Sequence, residues 1–399
     1  MISEAYVFVD GLEDIPIICG FVKINPERNT GQFVYGKSYL IRDDAFALDP
    51  INLPLATTTY NTNFNHGLFG VLSDAGADSW GERIILSLHK TKPQNALEFL
   101  LAGSGMGVGC LVFSLSQKAS KHKVNKNTLG DIPMLLKAKD DILADKKIPD
   151  EAKKAFEFGS SMGGARPKTL INDNNKHYLA KFNRPDDRIN VVKVEHAAMQ
   201  MLSELPCRVA KTKTIETPNG DVFLSERFDI SNNTPTHHFL SANAIFHTAK
   251  VNSSVLKTGY TYGFLAEYIR KHGAEPADAH DLYYRMVFNA FMGNTDDHSR
   301  NHALLYSLED KHWRLSPAYD VLPINNAMLH GIGLGEEARH ATITNLLSQS
   351  DRFGIKHFKA RKIISQVEEL TAEWHHYFKQ HGVGEGDLER LNGIIPTLL

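Results

Sequence analysis

The 399-residue sequence predicts an α+β fold with two lobes, in which a β-rich subdomain precedes the N-terminal lobe and the C-terminal lobe is all-helical. Short apolar segments separated by turn residues extend to residue 238, as expected for strands. Beyond residue 241, apolar residues recur every three to four positions, as on one face of a helix. Near the C-terminus this spacing predicts one amphipathic helix, which carries Ile363, Val367, Leu370, Trp374 and Phe378.

Composition excludes several classes of protein. A hydrophobic content of 42% and a charged content of 23% are ordinary for a soluble globular protein. A formal net charge of −2 argues against binding to nucleic acid or membranes by electrostatics alone. The three cysteines, Cys19, Cys110 and Cys207, are too dispersed for a disulfide framework or a zinc motif. Because no apolar run reaches about 18 residues and no secretion signal begins the chain, we expect a cytoplasmic protein without a membrane span.

The N-terminal part predicts strands at residues 6–9 and 17–22 and a helix at 79–89. Its alternating glycines at 103–109 could cradle a phosphate, but the run lacks a lysine and leads into a strand. A tight structural turn is therefore the favoured interpretation. The lysine-rich stretch at 116–130 predicts a solvated linker, with nucleic-acid contact as the alternative.

A second glycine-rich segment spans residues 159–169. It is not a Walker loop, because Pro167 precedes Lys168-Thr169 where glycine is required. Its small residues still allow backbone N–H groups to approach an anion, and Arg166 and Lys168 add positive charge. A plain surface turn fits the segment equally well.

A lysine in the next predicted hairpin is directed inward. Lys181 shares a strand face with Leu179, and a buried lysine needs a partner for its charge. Glu195 lies at the edge of the buried face of the following helix, predicted at 191–205. Protein kinases fix the lysine that grips the nucleotide phosphates with such a pair. A lysine that snorkels beside a surface glutamate is the alternative.

The next predicted strand, residues 221–229, exits into a polar loop at 231–238. In a two-lobed nucleotide-binding enzyme, backbone groups at such an exit meet the adenine ring. An ordinary strand end fits the sequence as well.

A polar motif at residues 293–302 lies between two apolar runs. Asp296 and Asn301 stand five residues apart, and a further carboxylate, Asp320, follows. Enzymes of phosphoryl transfer use one aspartate to orient the nucleophile, and an asparagine and a second aspartate to hold magnesium.

Four motifs in this order resemble the HipA family of bacterial serine/threonine kinases, the toxins of HipA–HipB toxin–antitoxin systems. They are residues 69–83, residues 161–168, Asn294-Thr295-Asp296-Asp297-His298-Ser299-Arg300-Asn301 and Tyr319-Asp320-Val321-Leu322. The resemblance implies a protein-kinase-like fold with three units. These are a β-rich subdomain at 1–115, the rest of the N-terminal lobe at 116–238 and a helical lobe at 239–399.

The resemblance also implies a role for individual residues. Asp296 would be the catalytic aspartate, His298 would support its loop, and Asn301 and Asp320 would hold Mg²⁺. Lys181 would contact the ATP phosphates, and the phosphate loop would supply Ser161, Gly163, Gly164, Ala165 and Lys168. Glu226 and Phe228 would line the adenine-binding hinge, with Asp229 near the ribose. Ser161 would be autophosphorylated, with Ser160 as the alternative position; a dianionic phosphate there would oppose ATP binding.

Substrate and partners follow from the resemblance alone. The family's best-known target is glutamyl-tRNA synthetase, whose phosphorylation halts translation and favours dormancy and persistence. A HipB-like helix-turn-helix antitoxin is expected as partner, with DNA reached only through that antitoxin and no membrane involved.

Two other functions are considered. One is a zinc enzyme with Asp296, His298 and His302 as ligands; His298 and His302 have the spacing of zinc helices, but no glutamate follows His298. The other is a catalytically silent co-repressor that acts with an antitoxin. The presence of Asp296, Asn301, Asp320 and Lys181 argues against a silent protein.

Overall fold

The computed structural model describes residues 1–120, 125–247, 260–273, 275–324 and 328–398. Lys121 and Lys123 of the predicted linker lie outside the described residues. The end of that linker is not solvated, because Asn127 is buried and its Nδ2 donates to Ala155 O at 2.7 Å and Leu170 O at 3.0 Å. Every helix in the described part of the chain is too short or too polar to span a bilayer.

The N-terminal subdomain is built on a five-stranded antiparallel sheet in the order β4-β3-β2-β1-β5. Its strands are β1 (Glu4–Val9), β2 (Ile17–Asn25), β3 (Thr30–Tyr35), β4 (Thr59–Thr62) and β5 (Leu111–Ser114). Strand β5 returns to pair with β1, so that Phe113 lies opposite Val7. Four helices belong to this region: α1 (Lys37–Leu40), α2 (Gly70–Asp74), α3 (Ser79–Leu88) and α4 (Ala96–Ala102). The helix predicted at 79–89 is thereby confirmed.

A second, four-stranded antiparallel sheet forms the rest of the N-terminal lobe, in the order β6-β7-β9-β8. The elements are α5 (Ile132–Leu143), α6 (Asp150–Glu157), β6 (Lys168–Asp173), β7 (Lys176–Phe182), α7 (Val191–Ser203), β8 (Thr212–Ile215) and β9 (Val222–Glu226). Asn174 and Asn175 turn the β6–β7 hairpin with positive φ at both positions, as a two-residue type I′ turn requires. Strand β7 is central, which places Lys181 in the buried interior.

The two N-terminal units share a hydrophobic core. Trp80 of α3 packs edge-on against Phe156 of α6, with 5.4 Å between ring centroids, and Phe156 in turn contacts Phe182 of β7. All three rings are almost fully buried. Helix α3 is therefore fixed directly beside the segment that joins α6 to β6.

The C-terminal lobe contains a sheet, so the prediction that it is all-helical is wrong in this detail. A three-stranded antiparallel sheet is formed by β12 (His237–Ser241), β13 (Ala303–Ser307) and β14 (Trp313–Leu315), preceded by the small hairpin of β10 (Ile230–Ser231) and β11 (Thr234–Pro235). Strand β13 pairs with β12, which lies far away in the sequence. Local apolar spacing does not report such distant pairing.

Helices make up the rest of that lobe. They are α8 (Ala242–Phe246), α9 (Tyr262–His272), α10 (Ala277–Phe291), α11 (Ile343–Ser348), α12 (His357–Ala372), α13 (Trp374–Gln380) and α14 (Glu385–Leu391). The single amphipathic helix predicted near the C-terminus is divided into α12 and α13, with Glu373 between them. Both segments keep the predicted apolar face, because Val367 and Phe378 are fully buried.

Candidate active site

Lys181, one residue before the end of β7, contacts two carboxylates. Its Nζ lies 2.6 Å from Glu195 Oε1 on α7 and 2.5 Å from Asp320 Oδ1. Lys181 and Glu195 are buried, at 7% and 2% exposure. Burial alone would lower the pKa of Lys181, but Asp320 and Glu195 outweigh it and raise that pKa well above its ordinary value. The predicted Lys181–Glu195 pair is confirmed, and the snorkelling alternative is excluded.

Backbone contacts fix the position of Asp320. Ala318, two residues earlier, donates its N–H to Arg208 O at 2.7 Å, and its carbonyl accepts from Ala210 N at 2.9 Å. Asp320 itself has φ of 59°, a left-handed conformation that Asp tolerates better than most residues. Burial would raise the pKa of Asp320, but Lys181 and then Lys168 lower it below its usual range. The side chain, 47% exposed, therefore presents an ionised carboxylate.

The loop that carries Asp296 is pinned on both sides. Thr295 Oγ1 donates to Ile324 O at 2.7 Å, and Asn294 Nδ2 donates to Asn289 Oδ1 of α10 at 3.1 Å. Gly293 has φ of 65°, and a Cβ there would lie 2.6 Å from Ile394 O. Glycine is therefore required where the chain leaves α10 and enters this loop.

The two adjacent aspartates of the loop have different environments. Asp296 is exposed, whereas Asp297 is 1% exposed; His302 Nε2 lies 2.9 Å from Asp297 Oδ1, and the Tyr262 hydroxyl donates to Asp297 Oδ2. Burial would raise the pKa of Asp297, but His302 outweighs it and lowers that pKa. Partial burial, and then the charge of Asp320, raises the pKa of Asp296. Asp296 is free to act on a ligand, and Asp297 is committed to the interior.

This arrangement contradicts the zinc alternative. His302 is buried against Asp297, while His298 is exposed at the loop surface. Among the residues that the structure describes, no group of three or more His, Cys, Asp or Glu side chains is placed to hold a metal ion. The metal alternative built on Asp296, His298 and His302 is therefore abandoned.

The predicted metal ligand Asn301 is linked to the Asp320 segment through the backbone of its neighbour Arg300. Asn301 ends a short 3₁₀ turn, Ser299–Asn301, and its N–H donates to His298 O at 2.9 Å. The hydroxyl of Tyr319 donates to Arg300 O at 2.7 Å, which joins the residue before Asp320 to the residue before Asn301. The positive charge of His298, when present, acts on both Asp296 and Asp320. Asp296, His298 and Asp320 are thus close enough to interact electrostatically, and Asn301 is tied to the same region through the backbone of Arg300.

Lys168 lies under the glycine-rich segment at 159–167. It pairs directly opposite Lys181 in the β6–β7 hairpin, and its Nζ donates to Gly163 O. Burial, and then the charge of Lys181, lowers the pKa of Lys168 to about 8. Gly164 has φ of 103°, and a Cβ there would lie 2.3 Å from Lys168 Nζ. Gly163 and Ala165 are exposed above the lysine.

Both candidate serines of this segment are buried. Ser160 is 0% exposed and Ser161 3% exposed. Ser104 donates to Ser161 Oγ at 3.4 Å, and Ser160 Oγ has no hydrogen-bond partner among the described residues. Neither hydroxyl is accessible while the segment keeps this position.

Glu226 ends β9, and Phe228 follows it two residues later. Lys176 Nζ lies 3.1 Å from Glu226 Oε2, and the Phe228 ring is 5.8 Å from that of Tyr319. The structure thus places Phe228 beside the residue that precedes Asp320. The hinge role of Glu226 and Phe228 stays a prediction.

Asp229 is placed differently from the predicted ribose contact. Its carboxylate is buried, accepting from Arg227 Nε at 3.0 Å, from Arg227 Nη2 at 2.7 Å and from Gly109 N at 2.6 Å. Arg227 also donates to Met106 O at 3.1 Å and Gly107 O at 2.8 Å. The first glycine run is therefore a structural turn held by an arginine that the sequence analysis passed over.

More than half of the chain matches a known family. The model of the HipA-like C-terminal domain covers residues 160–374, the range that contains both the glycine-rich segment and the Asp296 loop. The chain belongs to the HipA family. No relative was found among curated protein sequences.

The HipA fold extends over the whole chain. HipA of Shewanella oneidensis MR-1, solved with HipB and its operator DNA, superposes with a TM-score of 0.70 at 14% identity, covering 97% of this chain and 94% of that one. The Helicobacter pylori proinflammatory kinase CtkA matches with a TM-score of 0.44 at 17% identity, covering 58% of this chain and 88% of that one. The family model and the superposition on HipA confirm the resemblance to the HipA family and the two-lobed, HipA-like fold class.

In this HipA-family protein, the sequence did not predict one contact between two residues near the site. Asp78 and Arg300 both lie in motifs that carried the family resemblance, yet neither received a role. Arg300 Nη1 lies 2.6 Å from Asp78 Oδ2, across 222 residues of sequence. Each residue is a charged side chain for which no oppositely charged partner was predicted, and this was the signal in the sequence that could have suggested a distant partner.

Proposed function

We propose that this HipA-family protein is an ATP-dependent serine/threonine protein kinase. The observation that carries the proposal is the contact of Lys181 with both Glu195 and Asp320, next to the exposed Asp296. A charged lysine fixed by a helix glutamate, beside a free aspartate, is the arrangement that phosphoryl transfer uses.

The positive charges of the cleft suit a triphosphate. Lys181 and Lys168 lie opposite each other on neighbouring strands, and the exposed Gly163 and Ala165 leave their backbone open to an anion. Lys181 would contact the ATP phosphates under a loop formed by Ser161, Gly163, Gly164, Ala165 and Lys168. Glu226 and Phe228 would border the adenine, whereas Asp229 would stabilise the hinge through Arg227.

The donors near Asp296 fit magnesium. The ionised carboxylate of Asp320 and the amide oxygen of Asn301 are hard oxygen ligands, which Mg²⁺ prefers, and substrate phosphates usually complete such a site. When bound, Mg²⁺ neutralises charge on the phosphates. Asp320 would exchange its contact with Lys181 for this role.

Asp296 would orient the hydroxyl of a protein serine or threonine and accept its proton. Its raised pKa makes it a better base than an ordinary surface aspartate. His298, on the same loop, would support this position. Asp297 would hold the loop from below through His302.

Autophosphorylation of Ser161, with Ser160 as the neighbouring alternative, would require the loop to leave its position, because both hydroxyls are buried. The added dianion would then repel the ATP phosphates and switch the enzyme off.

A HipB-like antitoxin is the proposed partner, through which DNA is reached. Glutamyl-tRNA synthetase is the proposed substrate, whose modification would inhibit translation and promote dormancy.

Transfer of labelled phosphate in host lysate, with Mg²⁺ and ATP, tests the proposal. The wild-type protein should label a protein serine or threonine, and Asp296→Ala should abolish the labelling. Asp14→Ala, which changes an exposed aspartate of the N-terminal subdomain, serves as the control and should label as the wild type does. Equal labelling by wild type and Asp296→Ala would remove the role given to Asp296, and no labelling by either would favour the silent co-repressor.

A further inference from the structure

The N-terminal end of helix α3 contacts the glycine-rich segment at several points. Asp78 Oδ2 accepts from Gly164 N at 3.3 Å, and Trp80 N donates to Gly164 O at 3.4 Å. The indole Nε1 of Trp80 donates to Lys168 O at 3.0 Å. Gly81 lies so close that a Cβ would stand 1.9 Å from Ser160 O. The segment at 159–167 therefore rests on α3, which belongs to a different part of the chain.

Asp78 also reaches the loop that carries Asp296. The oxygen that accepts from Gly164 is 2.6 Å from Arg300 Nη1. The carbonyl of Arg300 in turn accepts from Tyr319, next to Asp320. The other oxygen of Asp78 accepts from Ser79 N at 2.8 Å at the beginning of α3. One carboxylate thus joins the glycine-rich segment, the Asp296 loop and α3.

We infer that Asp78 is a positioning residue whose ion pair with Arg300 holds the glycine-rich segment closed over Lys168. This inference rests on the proposed kinase function only where it concerns phosphate transfer. While the pair is made, Gly164 is bonded and Ser161 stays buried; when it opens, the segment can leave and expose Ser161.

The ion pair between Asp78 and Arg300 is weak enough to open and close reversibly. The side chains of Asp78 and Arg300 are 30% and 49% exposed, so water screens their attraction. Exposed ion pairs of this kind shift a local equilibrium about two- to fivefold. Loss of the pair should therefore change how often the segment opens without unfolding the protein.

Hydrogen–deuterium exchange of the full chain, read on peptides from 159–167 and 296–302, tests the inference without any catalysis. Asp78→Asn keeps a neutral acceptor for Ser79 and Gly164 but removes the charge. We expect exchange in both peptides to rise about two- to fivefold, with an unchanged melting temperature. Asp145→Asn, which removes the other ion pair of α3, that with Arg83, is the matched control and should leave both peptides unchanged.

Arg300 supplies the reciprocal variants. Arg300→Gln should reproduce the exchange of Asp78→Asn, the double variant should open no further than either single one, and Arg300→Lys should restore protection. Additive effects of the two substitutions, or unchanged exchange in Asp78→Asn, would overturn the inference.

Phosphate transfer then separates this inference from the proposed function. If both hold, self-labelling of the glycine-rich segment should rise about two- to fivefold in Asp78→Asn, in step with its opening. If the wild type transfers no phosphate but exchange responds as expected, the kinase proposal fails and the positioning role stands. If the wild type transfers phosphate but exchange in Asp78→Asn equals that of the wild type, the positioning role of Asp78 fails and the kinase proposal stands.

Discussion

Lys181 and Asp320 are 139 residues apart in the sequence, yet Nζ of the lysine lies 2.5 Å from Oδ1 of the aspartate. A strand of the N-terminal lobe and a segment after the last strand of the C-terminal lobe are joined by this contact. Glu195 of α7 shares the same ammonium group. Groups proposed to handle the phosphates therefore contact each other directly between the two lobes.

Glu195→Gln should destabilise the protein, because it leaves a buried lysine with only the half-exposed Asp320 as counter-charge. Breaking a buried ion pair by removing one partner lowers the free energy of unfolding by about 3–5 kcal/mol; with Asp320 still present, we expect about 2 kcal/mol. Urea denaturation measures the effect. Glu216→Gln, which removes the exposed partner of Lys193 and leaves Asp221 beside that lysine, is the control and should change the free energy of unfolding by less than about 1 kcal/mol. Equal stability of the two variants would show that Glu195 does not hold Lys181.

Substitutions of Asp296 and Asp297 should have different effects, the first on phosphate transfer and the second on the free energy of unfolding. Asp296→Ala should lower phosphate transfer at least about 100-fold, since it removes the proposed base, while the free energy of unfolding changes by less than about 0.5 kcal/mol. Asp297→Ala should lower that free energy by about 3 kcal/mol, because His302 and Tyr262 lose their buried partner. Labelled-phosphate transfer and urea denaturation of both variants provide the comparison. A stable, inactive Asp297→Ala would reverse the two assignments.

Part of this site was predictable because local patterns specify which face of an element is buried. Strand alternation placed Lys181 inward, and helical spacing placed Glu195 at the edge of a buried face, so their pairing followed from two local arguments. The structure confirms that pair at 2.6 Å. Asp296 was singled out by its spacing of five residues from Asn301, and the family resemblance implied its catalytic role; no local pattern indicated that Asp297 would be the buried one.

The remaining contacts depend on distant partners, which periodicity does not identify. The sequence showed strand β13 only as an apolar run. Its pairing partner β12 lies before the helices of the C-terminal lobe, so local spacing could not identify it. Asp229 was assigned to the ribose by the family resemblance, and nothing in the sequence pattern shows that Gly109 and Arg227 saturate its carboxylate. Arg227 was missed for the same reason.

Gly81→Ala should displace the glycine-rich segment. Alanine normally favours a helix over glycine, but here the added Cβ would stand 1.9 Å from the backbone oxygen of Ser160. Because a backbone atom has to move, we expect a loss of about 1–3 kcal/mol in the free energy of unfolding and a less buried Ser161. Gly163→Ala is the control; its Cβ meets nothing within 4 Å, so stability should change by less than about 1 kcal/mol. A Gly81→Ala protein as stable as the wild type would contradict the close packing of α3 on this segment.

Lys168 should make stability depend on pH in a defined direction. Its pKa is lowered in the folded protein from 10.5 to about 8. Between these two values the unfolded chain binds more protons than the folded one, so the free energy of unfolding rises with pH. Below about pH 7 both states are protonated, and Lys168 then contributes no pH dependence.

Comparison with Lys168→Met isolates this contribution, because all other titrating groups are shared. From about pH 7 to about pH 9.5, the free energy of unfolding of the wild type should rise relative to that of the variant by about 2 kcal/mol. Urea denaturation at several pH values measures both proteins. A difference that stays constant or falls over this range would mean that Lys168 keeps its proton in the folded state. The lysine under the glycine-rich segment would then be paired more strongly than its contact with Gly163 accounts for.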